Sequence, residues 1–188
     1  MPWMYLSSPL HNIFVHSHIT TVQWVTDDAT GKQYTVLETS TLNFDENTKT
    51  CASHNAILPE PRTEAENNFL DSLNAQAFPL GMDDVDQEGV WRWNSDGSPV
   101  TWQYWAKFSV SNGAEPNGGG RENCVVMVKH IYQEKRLTST ASWGDVRCQG
   151  QQISPKSLVC QKPEGMYTSE DIKTSLQWML RHICQKGT

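Results

Sequence analysis

Near the start of the chain, two short stretches favour extended structure. Val22-Gln23-Trp24-Val25-Thr26 and Gln33-Tyr34-Thr35-Val36-Leu37 are rich in β-branched and aromatic residues, and Asp27-Asp28-Ala29-Thr30-Gly31-Lys32 lies between them as a turn. This pattern predicts an antiparallel hairpin. The hydrophobic period then lengthens. Asn43 followed by Glu46 is a capping-box-like start, which predicts a helix from Phe44 to about His54 with Phe44, Thr48 and Cys51 on one side. Pro59 and Pro61 forbid its continuation. Thr63 with Glu66 opens a second helix, whose apolar stripe is Phe69, Leu70 and Leu73.

From Phe78 to Tyr104 the text is dense in Gly, Asp, Ser and Trp, and it reads as turns and short strands. Asn112-Gly113-Ala114-Glu115-Pro116-Asn117-Gly118-Gly119-Gly120 is expected to be a loop with no regular element. Cys124-Val125-Val126-Met127-Val128 is a continuous apolar run, as a buried strand requires. Trp143 to Cys148 and Ser157 to Cys160 are two further short segments. In the tail, Thr168 or Ser169 caps a helix in which Ile172, Leu176, Met179 and Ile183 recur at helical spacing. The order of elements predicts an α+β fold.

Composition narrows the class. With 188 residues, 37% of them hydrophobic and 19% charged, the chain has the make-up of one folded domain with a tail. A net charge of −6 argues against non-specific nucleic-acid binding and fits a protein that gathers carboxylates around a cation. No stretch approaches the roughly 20 apolar residues that a bilayer span needs. Residues 1–26 carry no Lys, Arg, Asp or Glu, yet His11, His16, His18, Pro9 and Asn12 interrupt any apolar core, so no signal peptide is recognisable there. The five cysteines, Cys51, Cys124, Cys148, Cys160 and Cys184, match no zinc spacing. They read either as two disulfides plus an odd thiol in an oxidising compartment, or as five reduced thiols in a cytosolic protein; the scattered spacing favours the first.

The candidate chemistry sits in the loops. Glu115-Pro116-Asn117 offers a carboxylate and an amide oxygen on either side of a proline. A cis proline there would let both side chains point the same way. Hard cations such as Ca²⁺ take six to eight oxygens from such mixtures. Glu122 precedes Cys124, and Asp145 precedes Cys148. A bridge between those cysteines would bring Glu122 and Asp145 towards each other. Upstream, Asp83, Asp84, Asp86 and Glu88 form an acidic run, which is either a solvated face or a second cation site. Of the Trp cluster, Trp93 and Trp105 read as core.

Taken in order, these segments resemble the C-type lectin-like domain. The resemblance covers roughly Gln33 to Pro163, or Val22 onward with the hairpin. It rests on several segments: the helix ending in Cys51; Leu80-Gly81-Met82; Glu88-Gly89-Val90-Trp91-Arg92-Trp93 before Asp96-Gly97-Ser98-Pro99; Trp102 and Trp105; Glu115-Pro116-Asn117; Glu122-Asn123-Cys124; and Trp143-Gly144-Asp145 before Cys148. The resemblance implies two helices flanking two small antiparallel sheets, a long Ca²⁺-binding loop region, and disulfides Cys51–Cys160 and Cys124–Cys148. It implies a division into an N-terminal extension (1–20), the lectin-like domain (21–163) and a C-terminal amphipathic tail (164–188). By position, Glu115, Asn117, Glu122 and Asp145 are expected to hold the principal Ca²⁺ and the sugar. Asp84, Glu88 and Glu122 are expected at an auxiliary Ca²⁺ site. The Glu-Pro-Asn triplet implies a preference for equatorial 3- and 4-hydroxyls, as in mannose, fucose-type ligands and N-acetylglucosamine. A secreted, non-enzymatic lectin follows.

The sequence departs from the family in several places. Gly144 replaces the Asn of the Trp-Asn-Asp triplet, removing a metal oxygen and a sugar hydrogen bond. Gly118 and Asn123 stand where auxiliary-site carboxylates are common. Pro79 replaces the Trp before Leu80, and Lys129 to Ser142 is long for the family. These departures keep a second expectation open, a lectin-like module that binds a protein or mineral surface with weakened or lost sugar binding. A glycosidase reading through Asp84 and Glu88, or Glu115 and Glu122, is disfavoured, because a cation among these groups would hold them ionised while a general acid needs a raised pKa. Cys184, odd by count, predicts either a free thiol or a homodimer locked through the tail helix.

Overall fold

The computed structural model of the chain describes residues 22–39, 41–107, 114–128, 142–149 and 157–162. The N-terminal extension, nearly all of the Lys129 to Ser142 segment, the tail helix and Cys184 lie outside the described residues. The elements are β1 (Val25–Thr26), β2 (Gln33–Glu38), α1 (Phe44–Ser53), α2 (Glu64–Ser72), β3 (Phe78–Asp83), β4 (Arg92–Trp93), a 3₁₀ turn (Gly119–Arg121), β5 (Cys124–Val128), β6 (Ser142–Val146) and β7 (Ser157–Lys162). They form two antiparallel sheets, ordered β1-β2-β7 and β4-β3-β5-β6. The expected α+β architecture with two helices and two small sheets is therefore present.

The hairpin closes through Asp27. Its carboxylate accepts the Ala29 N–H at 3.0 Å and the Thr30 hydroxyl at 2.8 Å, while its own N–H bonds the Lys32 carbonyl at 2.9 Å. The first strand is shorter than expected, since only Val25 and Thr26 pair, opposite Tyr34 and Gln33. Helix α1 begins where Asn43 accepts the Glu46 N–H at 3.2 Å. Its buried face is Phe44, Asn47 and Cys51, not Phe44, Thr48 and Cys51 as the sequence suggested. Thr48 is exposed, and Asn47 is inside because its amide donates to the Thr41 carbonyl at 3.2 Å. Helix α2 carries the full capping box: Thr63 Oγ1 accepts the Glu66 N–H, and Glu66 Oε2 accepts the Thr63 N–H. Leu70 of its stripe is fully buried, with Phe69 and Leu73 packed at the margin of the core.

The strand β5 explains its own apolar text. Val125 and Met127 enter one core cluster with Tyr34, Leu70, Phe78 and Trp143. Cys124, Val126 and Val128 enter a second with Phe44, Leu58 and Leu158. A strand covered on both faces has no position to give to a polar residue. Pro79 fits inside β3 because β4 reaches only Met82 and Asp83, which leaves β3 an edge at the proline. Two disulfides, Cys51–Cys160 and Cys124–Cys148, tie these layers across 109 and 24 residues. By loop entropy each contributes about 3–5 kcal/mol. The 3₁₀ turn corrects the expectation that Asn112 to Gly120 holds no regular element; it opens at Gly119, whose φ of +54° favours glycine. Among the described residues no helix is long and apolar enough to cross a membrane.

Candidate functional site

The loop is anchored to β6 through a short ladder. Trp143 N–H bonds the Tyr104 carbonyl at 2.8 Å, Ala106 N–H bonds the Trp143 carbonyl at 2.8 Å, and Glu115 N–H bonds the Ala106 carbonyl at 2.9 Å. Glu115 thus sits one backbone step from β6. Trp143 packs beneath the site. Its ring is fully buried against Trp93, Trp102 and Trp105, and its indole N–H donates to Asn67 Oδ1 at 2.8 Å. The core expectation holds for Trp93, which is buried; Trp105 is only partly buried, against the core margin.

Three of the four expected ligands meet directly. The Glu115–Pro116 bond is cis. Asn117 Nδ2 donates to Glu115 Oε2 at 2.6 Å. Asp145 accepts the Asn117 backbone N–H at 2.9 Å and the Gly118 N–H at 2.7 Å. The fourth, Glu122, folds over Gly118: a Cβ built on Gly118 would stand 2.3 Å from Glu122 Oε2. Only glycine leaves room for that carboxylate. Gly144 also faces the site, and a Cβ on it would lie 3.7 Å from Glu115 Cγ, an ordinary contact. A side chain at 144 is therefore sterically tolerated.

The electrostatics report crowded carboxylates. Burial pushes the Glu115 carboxyl up to about 8; the hydrogen bond and charge of Asp145 and the charge of Glu122 add to the rise, and the Asn117 amide opposes it. Without a cation, Glu115 therefore keeps its proton at neutral pH, and its ionised form awaits a positive partner.

The expected auxiliary residues are less gathered. Asp84 is buried; its Oδ2 accepts the Gly89 N–H at 2.8 Å, and burial raises its pKa, with the Asp145 charge adding. Glu88 is exposed, and its Oε2 lies 3.4 Å from where a Cβ on Gly120 would stand. Two side-chain oxygens here, Asp84 Oδ1 of the expected ligand set and Asn123 Oδ1 at the position where a carboxylate is common, are buried with no hydrogen-bond partner. Among the described residues no three His, Cys, Asp or Glu side chains form a ready-made metal cluster. The donor set at the principal site is nevertheless all hard oxygen, and its carboxylates repel one another, so it fits Ca²⁺ by chemistry. The roles of Gly118 and Ala106 were also missed: both act through backbone atoms, which leave no side-chain signal.

The model of the lectin C-type domain matches residues 40–162. The chain belongs to the C-type lectin family. The chain is 29% identical over 140 residues to C-type lectin domain family 4 member M of Nomascus concolor, covering 71% of this chain and 30% of that one. It is 30% identical over 106 residues to the mannose-binding protein of Gallus gallus, covering 55% and 35%. The chain thus spans about a third of the length of these relatives. In three dimensions it is similar to the C-type lectin domain of murine dendritic cell inhibitory receptor 2 in complex with N-glycan, with TM-score 0.53 and 25% identity, covering 73% of this chain and 94% of that one. It shares its fold with a Ca²⁺-dependent type II antifreeze protein, with TM-score 0.55 and 21% identity over 74% and 96%.

Proposed function

We propose that this lectin binds Ca²⁺ through Glu115, Asn117, Glu122 and Asp145, and through that ion the vicinal equatorial hydroxyls of mannose-type glycans. The observation that carries the reading is the meeting of Glu115, Asn117 and Asp145 in one hydrogen-bonded group, with Glu122 over Gly118. Bound Ca²⁺ supplies a positive centre that holds the carboxylates ionised and leaves coordination positions for sugar oxygens. Around it, Glu115 and Glu122 accept hydrogen bonds from sugar hydroxyls, and the Asn117 amide donates one. Asp145 keeps the loop backbone in place. The orphan oxygens of Asp84 and Asn123 support an auxiliary cation at Asp84, with Glu88 and Glu122 as its further proposed ligands. Two disulfides suit an extracellular setting. In this reading the carboxylates serve a binding module, with the cation rather than a proton as their partner.

Gly144 favours a second reading, in which the module binds a protein or mineral surface, because no side-chain donor stands beside Glu115 at that position. The antifreeze protein that shares the fold supports the range of surfaces such a module can meet. A thermal melt separates the two, run with Ca²⁺ or chelator and with or without mannose. A rise with Ca²⁺, and a further rise with mannose only in its presence, is expected. A Ca²⁺ response without a mannose response favours the second reading, and no response to either removes the metal site.

A further inference from the structure

Asn117 is followed by Gly118, the sequence in which a backbone nitrogen most easily reaches a side-chain amide, since glycine places no Cβ in the way. The fold adds two contacts to that sequence. The Gly118 N–H, whose nitrogen is the nucleophile, already donates to Asp145 Oδ2 at 2.7 Å. The Asn117 Nδ2, the leaving group, donates to Glu115 Oε2 at 2.6 Å, a contact that holds the amide in place while its departing proton comes from solvent. Asn117 is exposed, so water has access.

We propose that Asn117 is a spontaneous deamidation site of the folded, metal-free protein, with Asp145 taking the proton from the nucleophilic amide. The Gly118 nitrogen gives its proton to Asp145 Oδ2 and bonds to Asn117 Cγ. The Cγ–Nδ2 bond breaks, and ammonia leaves with a proton taken from solvent. The resulting succinimide is opened by water at either carbonyl, giving aspartate or isoaspartate at 117. No oxidant or reductant enters. The product is an extra carboxylate in a group that already crowds Glu115, Glu122 and Asp145, and it has lost the only N–H donor on that side chain. A loop left without its cation would thereby lose its ligand-binding form over time. One part rests on the proposed function: if Asn117 Oδ1 is a metal ligand, Ca²⁺ withholds the side chain from attack.

The test is peptide mapping by mass spectrometry of the full, oxidised chain incubated at neutral pH and physiological temperature with chelator. The reduced, unfolded chain is the reference, because there sequence alone sets the rate. The expected result is a gain of one mass unit at Asn117 in the folded chain at least as fast as in the reduced one, with isoaspartate confirmed by enzymatic methylation. A folded rate below half of the reduced rate overturns the proposal, since the hydrogen bonds would then be protecting. Asp145→Asn is expected to slow the folded reaction severalfold; an unchanged rate overturns the role given to Asp145. If that variant does not fold, the wild-type comparison still decides the main point. With Ca²⁺ at about a hundred times its Kd, the reaction slows by about the same factor, because about one molecule in a hundred remains metal-free. Deamidation that proceeds equally with and without Ca²⁺ supports the modification site and overturns Asn117 as a ligand.

Discussion

Asp145 accepts the backbone N–H of Gly118 at 2.7 Å, across 27 residues of sequence. The same carboxylate also receives the Asn117 N–H, so a single side chain from β6 organises the backbone of the loop. Asp145→Ala is therefore expected to lose both sugar retention and the rise in Tm with Ca²⁺. Asp145→Asn keeps one acceptor oxygen and should retain more of the metal-free stability. Mannose retention by Asp145→Ala in Ca²⁺ buffer would sink the proposed site.

Glu115→Gln separates charge from shape. It removes the carboxyl that burial and Asp145 push up to about 8 and leaves an isosteric amide. The metal-free protein should be at least as stable as wild type at pH 8, while the Ca²⁺-induced rise in Tm shrinks. Equal Ca²⁺ responses in the two proteins, measured by calorimetry, would exclude Glu115 as a ligand.

The pH dependence has two opposite signs. The Glu115 carboxyl is raised from 4.5 to about 8 in the folded chain, so the bare protein is favoured below the lower value and loses that contribution as pH rises through the upper one. In Ca²⁺ the trend reverses, because the metal needs the proton gone. Ca²⁺ binding at neutral pH should therefore release a proton, read from titration heats in buffers of different ionisation enthalpy. Sugar should be released as pH falls toward about 5 in low Ca²⁺. Heats that do not depend on the buffer at neutral pH would contradict this account.

Gly144→Asn restores a donor in a space that admits it, with the new Cβ 3.7 Å from Glu115 Cγ. One hydrogen bond to a hydroxyl is worth about 0.5–1.5 kcal/mol, roughly two- to twelvefold in Kd. The variant should bind mannose tighter by about that factor. Unchanged affinity, measured by titration, would mean that the sugar does not approach from the Gly144 side.

The Trp143 indole N–H and Asn67 test the platform beneath the site. Asn67→Leu leaves the indole N–H buried without its partner and should cost about 1–3 kcal/mol in denaturant unfolding. A neutral result would mean that the indole finds another acceptor at no cost.

Much of the fold was written locally. The capping residues Asn43 and Thr63 fix the helix starts through bonds that span three residues, and sequence shows those directly. The β5 run reads as a buried strand because burial on both faces removes every polar position. The limits of local reading show at α1. Thr48 looked like part of the buried face, but Asn47 took the place because the Thr41 carbonyl, outside the helix, accepts its amide.

The site divides in the same way. Glu115 and Asn117 are two residues apart, so their pairing is legible in the sequence as soon as the proline between them is noticed. The acidic content, the cysteine count and the Gly run were also there to be read. Only the tertiary structure decided that Asp145 holds the backbone of Asn117 and Gly118, that Glu122 fills the space above Gly118, and that Glu115 is crowded enough to keep its proton. Each of these depends on the register of β5 against β6 and on the Ala106 carbonyl that pins Glu115. Backbone donors and the repulsion between converging charges are properties of distance, and distance across a folded chain is set by packing rather than by the order of residues.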